Sequence, residues 1–227
     1  MIKYGTILAA IIAAVAMAGL RPAETAAAAG HGTSQPPATL LSLLAETGNS
    51  YNRYFTIESA WKDGEAINKM ESTVIEPPSI PASEAKNGLQ LTLDALKQKV
   101  SNLTFIQNPS NDRIIHVIDS RLLKQDGYGL SHTVKNLEFS GTVEDLLKSF
   151  RAQGIPVGPP TSLSLHEMLF YDAGTPVEVK GRNSQVRTLL SNCLPLEGRS
   201  RILWVARTRL GQGEVSQVQF IGARKQS

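Results

Sequence analysis

Three stretches of this chain place apolar side chains at i, i+3, i+4 and i+7, the spacing that lays one stripe of a helix against a core. Leu89, Leu93, Leu96 and Val100 form the first, Val143, Leu146, Leu147 and Phe150 the second, and Val186, Leu189, Leu190, Cys193 and Leu194 the third. No such stripe can be buried alone, and the segments around them have strand character. Residues 103–106 and 114–118 flank the turn formers Asn108 to Asp112, and residues 202–208 and 215–220 flank Gly211-Gln212-Gly213, so each pair is expected to form a hairpin. Residues 134–139 and 177–179 read as shorter strands that run directly into a helix. This order predicts an α+β fold with three amphipathic helices packed on one face of a mainly antiparallel, possibly split sheet. A weak internal strand-helix repeat shows in the Val-x-x-Leu-Leu pattern at Val143 and again at Val186.

The second helix is the best marked. Ser140-Gly141-Thr142 offers a cap, Glu144 and Asp145 complement the helix dipole in the first turn, and Gly154 closes the far end. Upstream, residues 39–45 suggest a short helix and residues 54–57 a strand or aromatic patch. Residues 72–86 contain Pro77-Pro78 and Pro81 and read as an irregular linker. The expected division is a helical and aromatic segment over 38–71, the linker over 72–86, a main domain over 87–222 and a tail over 223–227.

The N-terminus has the build of a secretory signal. A polar start with Lys3 leads into an apolar run over 7–15 and then Ala16-Met17-Ala18, which predicts cleavage after Ala18. Stretched to Leu20, the apolar run is about 14 residues, against roughly 20 needed to cross a bilayer. Residues 19–37, rich in Ala, Gly, Pro, Ser and Thr, read as a disordered leader. Export implies an oxidising compartment, the periplasm or outside the cell, yet Cys193 is the only cysteine, so no internal bridge forms and the fold rests on its core.

From residue 137 the chain reads Leu-Glu-Phe-Ser-Gly-Thr-Val-Glu-Asp-Leu-Leu, a strand, a tight polar turn and a helix with paired leucines. Residues 133–154 and 175–194 in this respect resemble the short N-terminal modules of secretins and TonB-dependent receptors, a resemblance that implies non-catalytic contacts between envelope proteins. Stretches such as Tyr54-Phe55-Thr56-Ile57-Glu58, Ile114-Ile115-His116-Val117-Ile118-Asp119 and residues 202–208 also resemble exported bacterial proteins of unassigned function.

Chemistry has few footholds. Among four His residues, His31 falls in the leader, His116 alternates within a strand, and His132 and His166 fall in turns or near a helix start. Metal ligands at helical or hairpin spacing do not occur, Ser140 lacks the glycine before it that a nucleophile elbow needs, and Gly211-Gln212-Gly213 precedes a strand and so cannot cradle phosphate on a helix. No cofactor motif is present. An exported hydrolase built on His116, Asp119 or His132 is the alternative to a non-enzymatic binding or scaffold module.

Charge singles out the C-terminal quarter. Residues 38–173 hold 12 Lys and Arg against 16 Asp and Glu, a net of −4, whereas residues 174–227 hold 9 against 3, a net of +6. Strand alternation places Arg201, Leu203, Val205, Arg207 and Arg209 on one face and Ile202, Trp204, Ala206 and Thr208 on the other. Arg201, Arg207 and Arg209 are therefore the candidate binding residues, exposed and suited to an envelope protein or an anionic envelope polymer. Nucleic acid is disfavoured by export and by the lack of basic residues interleaved with stacking aromatics.

Overall fold

Residues 54–60 are all buried, which suits a strand covered on both faces. Their alternation sends Tyr54, Thr56, Glu58 and Ala60 one way and Phe55, Ile57 and Ser59 the other. The computed structural model describes residues 37–158 and 175–221, all in one unit that begins at Pro37. The signal expected over 1–18, the leader except Pro37, His31, His166 and the tail lie outside the described residues.

The described chain runs β1 (Ala38–Thr39), α1 (Leu40–Tyr51), β2 (Tyr54–Trp61), β3 (Val74–Ile75), α2 (Gly88–Lys99), β4 (Leu103–Gln107) and β5 (Ile114–Asp119). It continues through a short α3 (Ser120–Leu123), β6 (Thr133–Thr142), α4 (Val143–Ala152), β7 (Pro176–Gln185), α5 (Val186–Asn192), β8 (Ile202–Arg209) and β9 (Val215–Phe220). The fold is α+β. A five-stranded sheet has the order β4-β5-β2-β8-β9, and β1-β3 and β6-β7 form two-stranded sheets.

Both expected hairpins are present as antiparallel pairs, β4 with β5 and β8 with β9. Among the described residues four of the six strand pairings are antiparallel, and β2 lies parallel to β5 on one side and to β8 on the other. Parallel neighbours need long crossovers. One runs through α2 and β4, the other through the β6 to α5 stretch. The segment over 38–71, expected as a helical and aromatic part docked on or tethered to the main domain, supplies the central strand of the sheet. The stretch read as an irregular linker also contains β3, whose Ile75 is buried, and a 3-10 turn over Ala82–Asn87.

Helices cover both faces of the sheet, where a single face was expected. Leu40, Leu43 and Leu44 of α1 and Leu93 and Leu96 of α2 pack with Phe55, Ile57, Val117 and Val205. On the opposite face, Val143, Leu146, Leu147 and Phe150 of α4 and Val186, Leu189 and Leu190 of α5 pack with Tyr54, Ile118 and Trp204. The reason is that β2 is apolar on both sides, so each side needs its own layer.

The strand-helix repeat has a physical form. β6 and β7 each run without a loop into their helix and pair along their full length, with Thr133 opposite Gln185 and Thr142 opposite Pro176, so α4 and α5 start from opposite ends of one ribbon. Thr142 caps α4 by accepting the Asp145 N–H at 3.2 Å, and Gly154 beyond the helix has a φ of 77°, which favours glycine.

Candidate functional site

A polar cluster lies buried between the sheet and α5. Glu58 projects from β2, and its carboxylate accepts from Arg187 Nε at 2.9 Å and Nη2 at 3.1 Å and from Tyr128 Oη at 2.9 Å. Arg187 also donates to Ser131 Oγ and Gln185 Oε1. Glu58 and Arg187 are 0% and 2% exposed. Burial raises the Glu58 carboxyl above its usual range while the Arg187 charge opposes that shift, and burial together with the Glu58 charge lifts the Tyr128 phenol well above its ordinary value. Beside them Trp204 Nε1 donates to Ser191 Oγ at 3.2 Å, and Ser191 donates to the Arg187 carbonyl. These bonds tie the α5 layer to the sheet.

The hydrolase candidates do not converge. His116 is fully buried, with Nδ1 2.8 Å from Thr56 Oγ1 and Nε2 without a partner, and burial, aided by the Arg187 charge, lowers its pKa to about 3. Asp119 serves α3, accepting from the Arg121 backbone and pairing with its guanidinium at 2.7 Å. His132 pairs through its backbone with Gly129 and Val186. Cys193 is buried, and burial pushes its thiol up to about 12, which leaves it a poor nucleophile. Among the described residues no group of three His, Cys, Asp or Glu is placed to hold a metal, and no helix is long and apolar enough to cross a membrane.

The three arginines predicted to share an open face are separated. Arg207 pairs with Glu71 at 2.9 Å, with side chains 12% and 4% exposed, and donates to Gln219. It belongs to the fold. Arg209 lies over the Trp61 ring and pairs with Asp63. The strict alternation also fails at one point, because Phe55 pairs with Ile202 and Thr56 with Trp204, leaving Leu203 as an extra residue. Leu203 and Trp204 consequently enter the same core cluster, while Ile202 and Val205 join the other.

Arg201 sits at the opposite end of β8 and meets residues the sequence pattern did not single out. Arg53, Arg113 and Arg201 immediately precede β2, β5 and β8, and because these strands are adjacent and parallel, all three enter the sheet at one end. Arg113 Nη2 and Arg201 Nη1 both donate to Asn52 Oδ1, at 2.9 and 3.0 Å, and Arg201 Nε donates to Asn49 Oδ1 at 3.0 Å. Both guanidinium carbons lie against the Tyr54 ring, 5.2 and 4.7 Å from its centre, and the Tyr54 hydroxyl is anchored on the Leu196 carbonyl. Gly48 makes room for this arrangement, since a Cβ there would come within 2.7 Å of Arg201 Cβ.

Sharing one oxygen holds the two donor nitrogens within about 6 Å, where two unit charges repel by about 3 kcal/mol at an effective dielectric near 20 and by about 0.7 kcal/mol in water. No carboxylate among the described residues pairs with either arginine. The carbonyl end of α1, from which Asn49 and Asn52 come, offers about half an elementary charge against two. The site holds positive charge in place without neutralising it. The sequence signal for it was an arginine directly ahead of each of three strand runs.

No protein-family model matches the chain, and comparison with curated proteins and with solved structures likewise finds no match.

Proposed function

We propose that this chain is an exported envelope protein that binds or scaffolds without catalysing a reaction, and that it meets an anionic envelope protein or polymer through the arginines at the starts of β2, β5 and β8. The observation that carries this reading is the pair Arg113 and Arg201, fixed on Tyr54 by two amide side chains with no carboxylate partner among the described residues. The Lys3, 7–15 and Ala16-Met17-Ala18 pattern supports export. The engagement of Asp119 in capping α3 and the burial of His116 argue for the binding reading over the hydrolase.

The test is capture from envelope extracts on immobilised native protein, with an Arg113→Gln/Arg201→Gln double variant in parallel. An acidic component retained by the wild type, released as salt rises and lost with the double variant, supports the reading, because screening shortens from about 10 Å at 0.1 M salt to about 3 Å at 1 M. Equal retention by both proteins, or no retention together with turnover on a hydrolase panel, would overturn it.

A further inference from the structure

Resting on the binding reading above, we infer that the ligand held by Arg113 and Arg201 is a phosphate monoester or equivalent dianionic oxyanion, seated at the parallel-strand starts on the rim shared by Asn52 and Tyr54.

The argument begins with charge balance. Two guanidinium groups are fixed together on Asn52 and Tyr54, and a carboxylate would leave one of their charges unmatched, whereas a phosphate dianion matches both. Geometry points the same way. Each guanidinium has a fork of donors, and the contacts in the structure use only part of it: Arg113 donates through Nη2, and Arg201 through Nε and Nη1. Arg113 Nε is buried, so the donors open to a ligand are the outer amino groups. The remaining amino groups can serve oxygens of a tetrahedral ligand, and fixed arginines lose little freedom on binding one.

The scaffold holds the donors before any ligand arrives. Asn52 takes a left-handed conformation with φ of 51° as the cap residue after α1, which turns its side-chain oxygen toward both arginines. Arg201 is further fixed by Asn49 one turn earlier and by its close passage over Gly48, where no side chain could be tolerated without displacing it. Tyr54, buried and hydrogen-bonded through its hydroxyl, is a rigid floor for both cations. Neutral acceptors in these places orient the arginines and leave their charge available to a ligand. A structural pair would be expected to carry a carboxylate, as Arg207 and Arg187 do.

The experiment is titration of the full native protein with inorganic phosphate, followed by NMR of the Arg113 and Arg201 Nε–H and the Asn52 side-chain amide, with sodium acetate at equal ionic strength as control. The expected result is saturable shifts at these groups with phosphate, at least tenfold weaker effects with acetate, and tighter binding at about pH 8 than at about pH 5.5, where phosphate is largely a monoanion. Arg113→Gln and Arg201→Gln should each weaken phosphate binding at least tenfold. The wild-type comparison stands even if a variant fails to fold. Vesicles of phosphatidylcholine with and without phosphatidic acid identify the source: binding only with phosphatidic acid assigns the group to a lipid, and phosphate binding without vesicle binding assigns it to a soluble ester. Acetate acting as strongly as phosphate, or saturable phosphate shifts located elsewhere, or none, would overturn the inference. Extract capture that depends on the arginines while phosphate leaves them unmoved would sink this inference alone and spare the broader binding reading.

Discussion

Replacing Arg187 by Met removes the counter-charge of Glu58 while keeping much of the apolar stem. The loss comprises two charged hydrogen bonds to Glu58 and the bonds to Ser131 and Gln185, and it leaves a fully buried carboxylate held only by Tyr128. Removing one partner of a buried pair typically costs about 3–5 kcal/mol, a large share of the roughly 5–15 kcal/mol by which domains are stable. The pH dependence has a definite sign. Burial already raises the Glu58 carboxyl and Arg187 counteracts it, so without Arg187 the shift grows, and stability linked to Glu58 is greatest at low pH and lost as pH rises through the raised value. Urea unfolding followed by tryptophan fluorescence, reporting chiefly on buried Trp204, should show a deficit of about 3 kcal/mol or more at pH 8 that shrinks toward pH 5. Adding Glu58→Leu should restore most of it, because an apolar pair of similar volume is often as stable as the ion pair. A deficit below about 1 kcal/mol at pH 8 with no pH trend would refute the claim that this pair ties α5 to the sheet.

Arg207→Gln should cost about 1–3 kcal/mol in the same assay, since it strands the buried Glu71 carboxylate, whereas Arg209→Gln, at a partly exposed pair, should stay within about 1 kcal/mol. His116, with a pKa lowered to about 3 against an ordinary 6.5, should show no titration of its ring signal between pH 5 and 8. Its neutral form stabilises the fold above about pH 6.5, and stability should fall by up to about 1.4 kcal/mol per pH unit below that as the unfolded chain takes up the proton.

The three helices were legible because their stripes are local, and so were the two hairpins, whose turns are marked by Asn108 to Asp112 and by Gly211 to Gly213. The central position of β2 was not. Nothing within Tyr54–Trp61 states that its partners lie about 60 and 150 residues away, and the polar Thr56, Glu58 and Ser59 disguise a strand buried on both faces. The ribbon was read too short because residues 180–185 are polar and lack alternation, though they pair with β6. Arg207 was read as exposed because its partner Glu71 lies 136 residues earlier, while the extra residue at Leu203 moved Leu203, not Arg207, off the face of Val205. Arg113 escaped notice for the same reason as β2: an arginine ahead of a strand means little until three such strands are known to run side by side.

The most direct measurement is calorimetric titration of the folded protein with linear polyphosphate at low and at moderate salt, comparing Arg113→Gln/Arg201→Gln with Arg207→Gln/Arg209→Gln. The account predicts that the first double variant loses at least tenfold in affinity and most of the salt dependence, while the second, wherever it remains folded, binds as the wild type does. Undiminished binding by the first variant, or loss confined to the second, would contradict it.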